Sequence, residues 1–361
     1  MRFRSCILFI AILTGFAAPA EAEIRQFKDW LAVCDNLRNC TAYGFDTEIG
    51  AGMFLRIDRG GAPDATPKVT IAVDVPDKTT QLALTFDDPN LPGLPKGAQR
   101  GTRHEDDSYA RAVLTDPAAV ETFIEAARKA QKLVAKRTDA PGAAKSDTET
   151  SAISLSGAAA ALLWIDDQQK RIDTVTALIR RDGKPASAIP PQPAPPVIVA
   201  AKSVAAPAPK TIPKAVLKEA KAMCEDDDGE RKTEEIYRLT GKLVLYMFVC
   251  ESNSGAYNYA YNLLTASDDK PNETRALELR LPLSIDKRQD IPAQDMTNAT
   301  FDPKTMTIST FSKGRGIGDC GSESIWAFDG KAFRMTSFKM MPDCKGVPLW
   351  EWAPLYSAVM K

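Results

Sequence analysis

The sequence predicts an α+β, β-rich fold: two domains of antiparallel sheet with a few helices, stabilised by disulfides. Three observations carry that expectation. Short runs of alternating apolar and polar residues recur along the 361-residue chain, the period-2 signature of strands. Beyond the first 22 residues the cysteines form an even set: Cys34, Cys40, Cys224, Cys250, Cys320 and Cys344. Between them lies PPQPAPPVIVAAKSVAAPAPKTIPK, Pro190–Lys214, whose proline and alanine content favours extended chain and buries no core of its own.

The elements follow in chain order. MRFRSCILFIAILTGFAAPAEAE opens with Arg2 and Arg4, continues with an apolar run over Cys6–Phe16, and reaches small residues around Ala22. That is a signal-peptide pattern with a cut expected before Glu23, and the run is shorter than the roughly 20 residues a membrane span needs. The expected layout is residues 1–22 as signal, 23–189 as an N-terminal α+β domain, 190–214 as a semi-rigid linker and 215–361 as a C-terminal antiparallel β domain. No transmembrane anchor is expected after cleavage.

In the first domain, WLAVCD and CTAYGF flank a short polar turn and read as a hairpin, with MFLRIDR, KVTIAVDV and QLALTF as further strands. Asp116 and Pro117 suit a helix start, and Val120, Phe123, Ile124 and Ala127 recur on one face, predicting a helix to about Arg137. A second helix is predicted over Gly157–Gln169 and a last strand over VTALIR. In the second domain a short helix, Lys214–Met223, precedes strands at KLVLYMFVC, YNYAYNLLTA, ALELRLPL, TMTISTF, SIWAFDG and KAFRMTSF, with turns at Asp302-Pro303-Lys304-Thr305 and Asp329-Gly330.

An even cysteine count in an exported chain reads as disulfides. Six cysteines allow 15 pairings, and proximity favours Cys34–Cys40, Cys224–Cys250 and Cys320–Cys344. No C-x-x-C spacing occurs and His104 is the one histidine, which argues against zinc. A net charge of −1, without a basic stripe interleaved with aromatics, argues against nucleic acid.

Four motifs invite sharper readings. Gly316, Gly318 and Gly321 have G-x-G-x-x-G spacing, but the following SIWAFDGKAFRMTSF alternates like strand, so no helix N-terminus would meet a pyrophosphate. The glycines are expected to serve positive φ and close packing at a bulge beside a disulfide. In CEDDDGERKTEE, Asp226, Asp228 and Glu235 fall at EF-hand positions; Cys224 stands at the first ligand position and a strand follows, leaving a weak calcium candidate. Tyr257, Tyr259 and Tyr261 alternate on one expected strand face, either a solvent-facing platform for a glycan or peptide or a cover for the core. His104 with Ser108 would be required for any histidine-assisted nucleophile, and no nucleophile elbow accompanies them.

WLAVCDNLRNCTAYGF, SLSGAAAALLWIDDQQKRIDTVTALIRRDG and GRGIGDCGSESIWAFDGKAFRM followed by CKGVPLW resemble the bacterial family called domain of unknown function 1176. The resemblance covers nearly the whole mature chain and all six cysteine contexts. The sequence departs from the family's Trp-Pro after the last cysteine, having Trp350-Glu351-Trp352-Ala353-Pro354. The N-terminal half is also similar to the invasion-associated locus B proteins, exported β-rich domains, through its tryptophan-cysteine opening and an SLxG stretch. The resemblance implies a Gram-negative periplasmic protein and brings no catalytic residues or cofactor. The expected function is non-catalytic binding of an envelope protein or glycan, through an exposed Arg315 and Asp319 in the loop Gly314–Asp319. The alternatives are a hydrolase of envelope polymers using paired carboxylates and a structural protein without a discrete ligand site.

Overall fold

The computed structural model describes residues 22–47, 52–75, 81–91, 99–100, 108–138, 149–224, 234–250, 254–277, 279, 282 and 296–361. The leader through residue 21, His104, Asp226, Asp228 and half of ALELRLPL lie outside them; of its described residues only Ala276 lies in a strand.

The N-terminal half contains strands β1 (Glu23–Phe27), β2 (Trp30–Cys34), β3 (Cys40–Phe45), β4 (Met53–Arg59), β5 (Lys68–Asp74), β6 (Gln81–Phe86), β7 (Gln99–Arg100) and β8 (Tyr109–Leu114). Helix α1 (Pro117–Ala127), β9 (Lys132–Thr138), β10 (Glu149–Ser154) and helix α2 (Ala158–Gln168) follow. Seven strands form one antiparallel sheet in the order β1-β2-β3-β4-β5-β8-β7, and β10-β9-β6 form a second. Asp116 caps α1 by accepting from Ala119 N–H at 2.9 Å, as the sequence indicates.

Two local expectations fail here. Helix α1 stops at Ala127, and Lys132–Thr138 becomes strand: Leu133 and Ala135 are buried while Lys136 faces out, a period-2 pattern satisfied by β6 and β10 on either side. VTALIR is irregular. The buried Asp166 carboxylate accepts from Leu178 N–H (2.8 Å) and Ile179 N–H (2.9 Å), so a side chain takes the amides that a ladder would need. Arg171, also buried, extends this polar knot to the carbonyls of Pro63 (2.8 Å) and Gly60 (3.3 Å) and to Gln169 Oε1 (2.9 Å).

The C-terminal half follows β11 (Val197–Ile198) with helix α3 (Lys214–Met223), then β12 (Glu234–Arg238), β13 (Leu243–Cys250), β14 (Ala260–Ser267) and β15 (Lys270–Ala276) as one sheet. A five-stranded sheet contains β16 (Thr300–Asp302), β17 (Thr307–Lys313), β18 (Gly321–Phe328), β19 (Phe333–Met341) and β20 (Pro354–Ser357). The last strand, β21 (Val359–Met360), pairs in parallel with β11. Disulfides join Cys34–Cys40, Cys224–Cys250 and Cys320–Cys344, the neighbour scheme expected from the sequence. The fold is β-rich with a few helices, antiparallel in its large sheets and disulfide-stabilised.

Burial explains why β2 and β3 read as nearly continuous apolar runs: both of their faces are covered. Trp30, Ala32 and Ala42 pack under α1 and α2 with Phe123, Leu162 and Ile165. Leu31, Val33, Tyr43 and Phe45 face the other way, into a cluster that contains Met247, Leu263, Trp326, Phe338 and Leu355 from the C-terminal half. A smaller cluster under α3 belongs to the C-terminal half alone.

This seam is also polar at one point. Glu351 is 1% exposed; its carboxylate meets Arg56 Nη1 at 3.0 Å and Arg111 Nε at 3.1 Å. Tyr43 Oη donates to Glu351 C=O at 2.7 Å and accepts from Ala353 N–H at 2.7 Å. Asn36 makes a two-way pair with Ser357, donating from Nδ2 at 3.1 Å and accepting at Oδ1 at 2.8 Å. The departing Trp-Glu-Trp stretch therefore works inside the molecule, with Trp352 buried and its indole N–H on Val347 C=O at 2.8 Å.

Pro190–Lys214 is largely extended, as expected of a semi-rigid proline-rich segment, and it is bonded to the rest of the chain along its length. Gln192 Nε2 donates to Leu37 C=O at 3.1 Å, β11 pairs with β21, and Ala201 N–H reaches Phe328 C=O at 2.7 Å. Each of these bonds ties the strap to a different element, so its proline stiffness serves placement.

Candidate functional site

The tethered glycine loop is the end of a hairpin. Strands β17 and β18 stay in register to the pair Lys313–Gly321, without the expected bulge, and Gly314 N–H closes on Cys320 C=O at 2.8 Å. Gly321 has φ +127°, and a Cβ there would stand 1.9 Å from Ser312 C=O; only glycine fits. Strand β18 begins at that same residue, so no helix follows the glycines.

Arg315 and Asp319 are not two free groups on this loop. Arg315 Nε and Nη2 grip the Asp319 carboxylate at 2.7 and 2.6 Å, a bidentate pair. Gly346 N–H donates to the same carboxylate at 2.7 Å, and Asp319 is 4% exposed. Burial alone would raise its pKa, yet the guanidinium and the amide overcome that and hold it below the usual carboxylate value. The expectation of an exposed Asp319 is therefore corrected: it is a brace across the Cys320–Cys344 bridge, because a carboxylate so close to the crossing needs partners. The sulfurs of that bridge lie within ligand distance of Asp319, but they are bonded to each other and offer no thiolate.

The tyrosines also fall differently. Strand β14 begins at Ala260, so Tyr257 and Tyr259 precede it in an irregular segment, 39% and 50% exposed. Tyr261 lies on the strand, half-buried against the shared core; it does not join a platform.

What the fold does bring together is Tyr257 and the glycine loop: a Cβ at Gly316 would lie 3.5 Å from the Tyr257 ring, ordinary contact distance. Two asparagines, which the sequence reading passed over, hold this arrangement. Asn258 pairs with the Lys313 backbone, donating to its C=O at 2.8 Å and accepting its N–H at 3.0 Å. Asn298, at φ +51°, donates to Phe311 C=O at 2.8 Å and Tyr257 C=O at 3.1 Å and accepts from Tyr259 N–H at 3.0 Å. Ile317, at the loop tip, is 76% exposed. The one sequence signal was compositional: asparagine tolerates the left-handed region and bonds to nearby backbone.

Of the calcium candidates, Glu235 lies on β12 and accepts from Tyr237 Oη at 2.6 Å. Its place in a strand removes the exiting helix an EF-hand uses.

The model of the family described as Protein of unknown function (DUF1176) matches residues 24–359. The chain belongs to that family. It is 30% identical to the Uncharacterized protein YpfG of Escherichia coli (strain K12) over 373 aligned positions, which cover 95% of each chain. No solved structure matches. No helix among the described residues is long and apolar enough to cross a membrane, and three disulfides mark folding in an oxidising compartment.

Proposed function

We propose that this family member is an exported, periplasmic protein of the cell envelope that binds a partner without turnover, through the surface made by Tyr257, Tyr259 and Ile317. One observation carries the reading: two exposed phenols and an exposed isoleucine sit on backbone immobilised by Asn258, Asn298 and the Cys320–Cys344 bridge. Tyrosine offers large contact area at low entropic cost, and a rigid support lowers the ordering cost of binding. Arg315 remains at this surface, its charge compensated by Asp319, and can still offer unused N–H groups to a partner. An envelope protein or a glycan fits such a surface, the glycan by stacking sugar rings on the phenols.

The alternative of carboxylate-pair hydrolysis has less support. Among the described residues the cavity beside Val197–Val199 is lined by one carboxylate, Asp329, and that is ion-paired to Arg334 at 2.9 Å, whereas the chemistry needs two carboxyls facing one bond.

The test is in-cell crosslinking of the full-length protein followed by mass spectrometry, comparing wild type with Tyr257→Ala/Tyr259→Ala and Ile317→Asp. Partners captured by the wild type and lost from both variants support the reading. An unchanged set of captured partners overturns it.

A further inference from the structure

Arg59, the last residue of β4, stands opposite Cys40 on β3. Strand alternation puts its side chain on the face of Met53, Leu55 and Ile57, which pack under α1 and α2. The apolar series of that face is thus broken by a guanidinium that is 4% exposed. Nothing in the protein holds it. Among the described residues Arg59 donates no hydrogen bond and joins no ion pair, and its Nε is shut off from solvent without a partner.

Arg171, buried in the same region, is provided for. The carbonyls of Pro63, Gly60 and Ala62, Gln169 Oε1 and Thr176 Oγ1 take its N–H groups. Gln169 Nε2 in turn donates to Arg59 C=O at 3.0 Å and Gly60 C=O at 3.1 Å. This fixes the backbone beneath Arg59 and leaves its side chain untouched. The missing partner is therefore particular to Arg59.

The surrounding charges do not supply one. Those that act on Arg59 are Arg171, Asp166 and Arg181. Both Asp166 oxygens are held by the Leu178 and Ile179 amides, and Arg181 is ion-paired to Glu121. Arg38 and Asp64, which act on Arg171, offset each other. One guanidinium charge is left over, and Arg59 still carries its proton at neutral pH, because burial and its neighbours lower its pKa only to about 9. A bound water can accept a hydrogen bond but brings no charge, whereas a buried charge calls for a counter-charge. A group that breaks the packing rule with no gain to the fold marks a functional position.

We propose that Arg59 is the anchor of a site for one small oxyanion, a phosphate or carboxylate group, at the end of β4 beside α2. The planar guanidinium fork matches two oxygens of either group. Nε alone among its nitrogens is both enclosed and unpartnered, so the Nη ends keep contact with the outside and give the ion its way in. An opening that exposes 4% of the residue admits an ion and excludes a polymer. The site is separate from the Tyr257 surface and does not depend on that reading.

The experiment is calorimetric titration of the full-length mature protein with inorganic phosphate, sulfate and acetate, at ionic strength held constant with chloride. Saturable one-to-one binding of phosphate or acetate in the millimolar range or tighter is expected, and the preference between the two assigns the group. Arg59→Met should weaken binding about tenfold or more, the worth of a charged hydrogen bond. Arg59→Lys, which keeps the charge and loses the fork, should fall between the two. Arg334→Met, which removes an arginine whose side chain is 59% exposed on β19, should leave binding unchanged. Urea unfolding supplies the second measurement: phosphate should raise the midpoint of the wild type and not that of Arg59→Met. A purely structural Arg59 predicts no such difference. Absence of saturation by all three anions, or equal binding by folded Arg59→Met, overturns the proposal. Equal midpoint shifts in wild type and Arg59→Met also overturn it, since the anion would then act elsewhere on the chain.

Discussion

At the residue scale, this protein depends on a few charges that have left water. Glu351 is the clearest. Removing its charge takes a carboxylate from Arg56 and from the buried Arg111, and breaking such a buried pair typically costs about 3–5 kcal/mol. Glu351→Gln is therefore expected to lower the urea unfolding free energy by about 3 kcal/mol; a loss under 1 kcal/mol would mean that water already reaches the pair. Arg59 presents the opposite case. It is 4% exposed, its Nε has no partner, and burial, then the nearby Arg171 charge, push its pKa down to about 9. The folded state therefore sheds this proton before the unfolded state does, so stability should rise as pH climbs from about 9 toward the usual arginine range. Arg59→Met should abolish that rise and stabilise the protein at neutral pH by about 1 kcal/mol, measured by denaturation at pH 7 and pH 10. Asp319 has a depressed pKa, so its contribution is complete above the ordinary aspartate value near about 3.9 and is lost as pH falls through the lower folded value. Asp319→Asn should flatten the acid branch of the stability profile below pH 4.

At the element scale, the β17–β18 hairpin shows what was legible and what was not. Its strands, its glycine turn and its disulfide partner all follow from spacing over a few dozen residues, because alternation, chain reversal and loop closure are local events. Neither the ion pair inside the loop nor the Tyr257 ring packed beside it is local. Tyr257 reaches Gly316 only after β14 has been placed by β13 and Asn298 has accepted the Tyr259 amide. The same holds for α1: its cap was readable in Asp116-Pro117, but its end at Ala127 was decided by β6 and β10, which claim Lys132–Thr138. Asn298→Ala removes bonds to Tyr257, Tyr259 and Phe311 together and is expected to cost about 2 kcal/mol and to speed amide exchange across residues 257–259. Gly321→Ala should be worse, since its methyl meets a backbone carbonyl. Loss of the Cys320–Cys344 bridge, which closes a longer loop than Cys34–Cys40, should cost more: about 3 kcal/mol against about 2 kcal/mol in the chain-entropy estimate, compared by melts of the two paired serine variants.

At the scale of the whole molecule, the shared core makes a prediction about cooperativity. Leu31, Tyr43 and Phe45 pack with Met247, Trp326 and Phe338, and Glu351 crosses the same seam. Fluorescence and far-ultraviolet dichroism should therefore report one coincident unfolding transition, and two separated transitions would show that each half stands alone. The sequence by itself determined the strand-rich class, the three disulfides, about half of the strands and the starts of all three helices, because those depend on periodicity, capping and short loop closure. Tertiary structure alone decided that the proline-rich strap is pinned, that Asp319 is buried, that Tyr261 turns inward, and that β11 meets β21 beside an open cavity. Those outcomes rest on contacts between residues up to 321 positions apart, as in Asn36 with Ser357. Such pairings leave no spacing to read, because the free energy that selects them comes from burying two surfaces against each other.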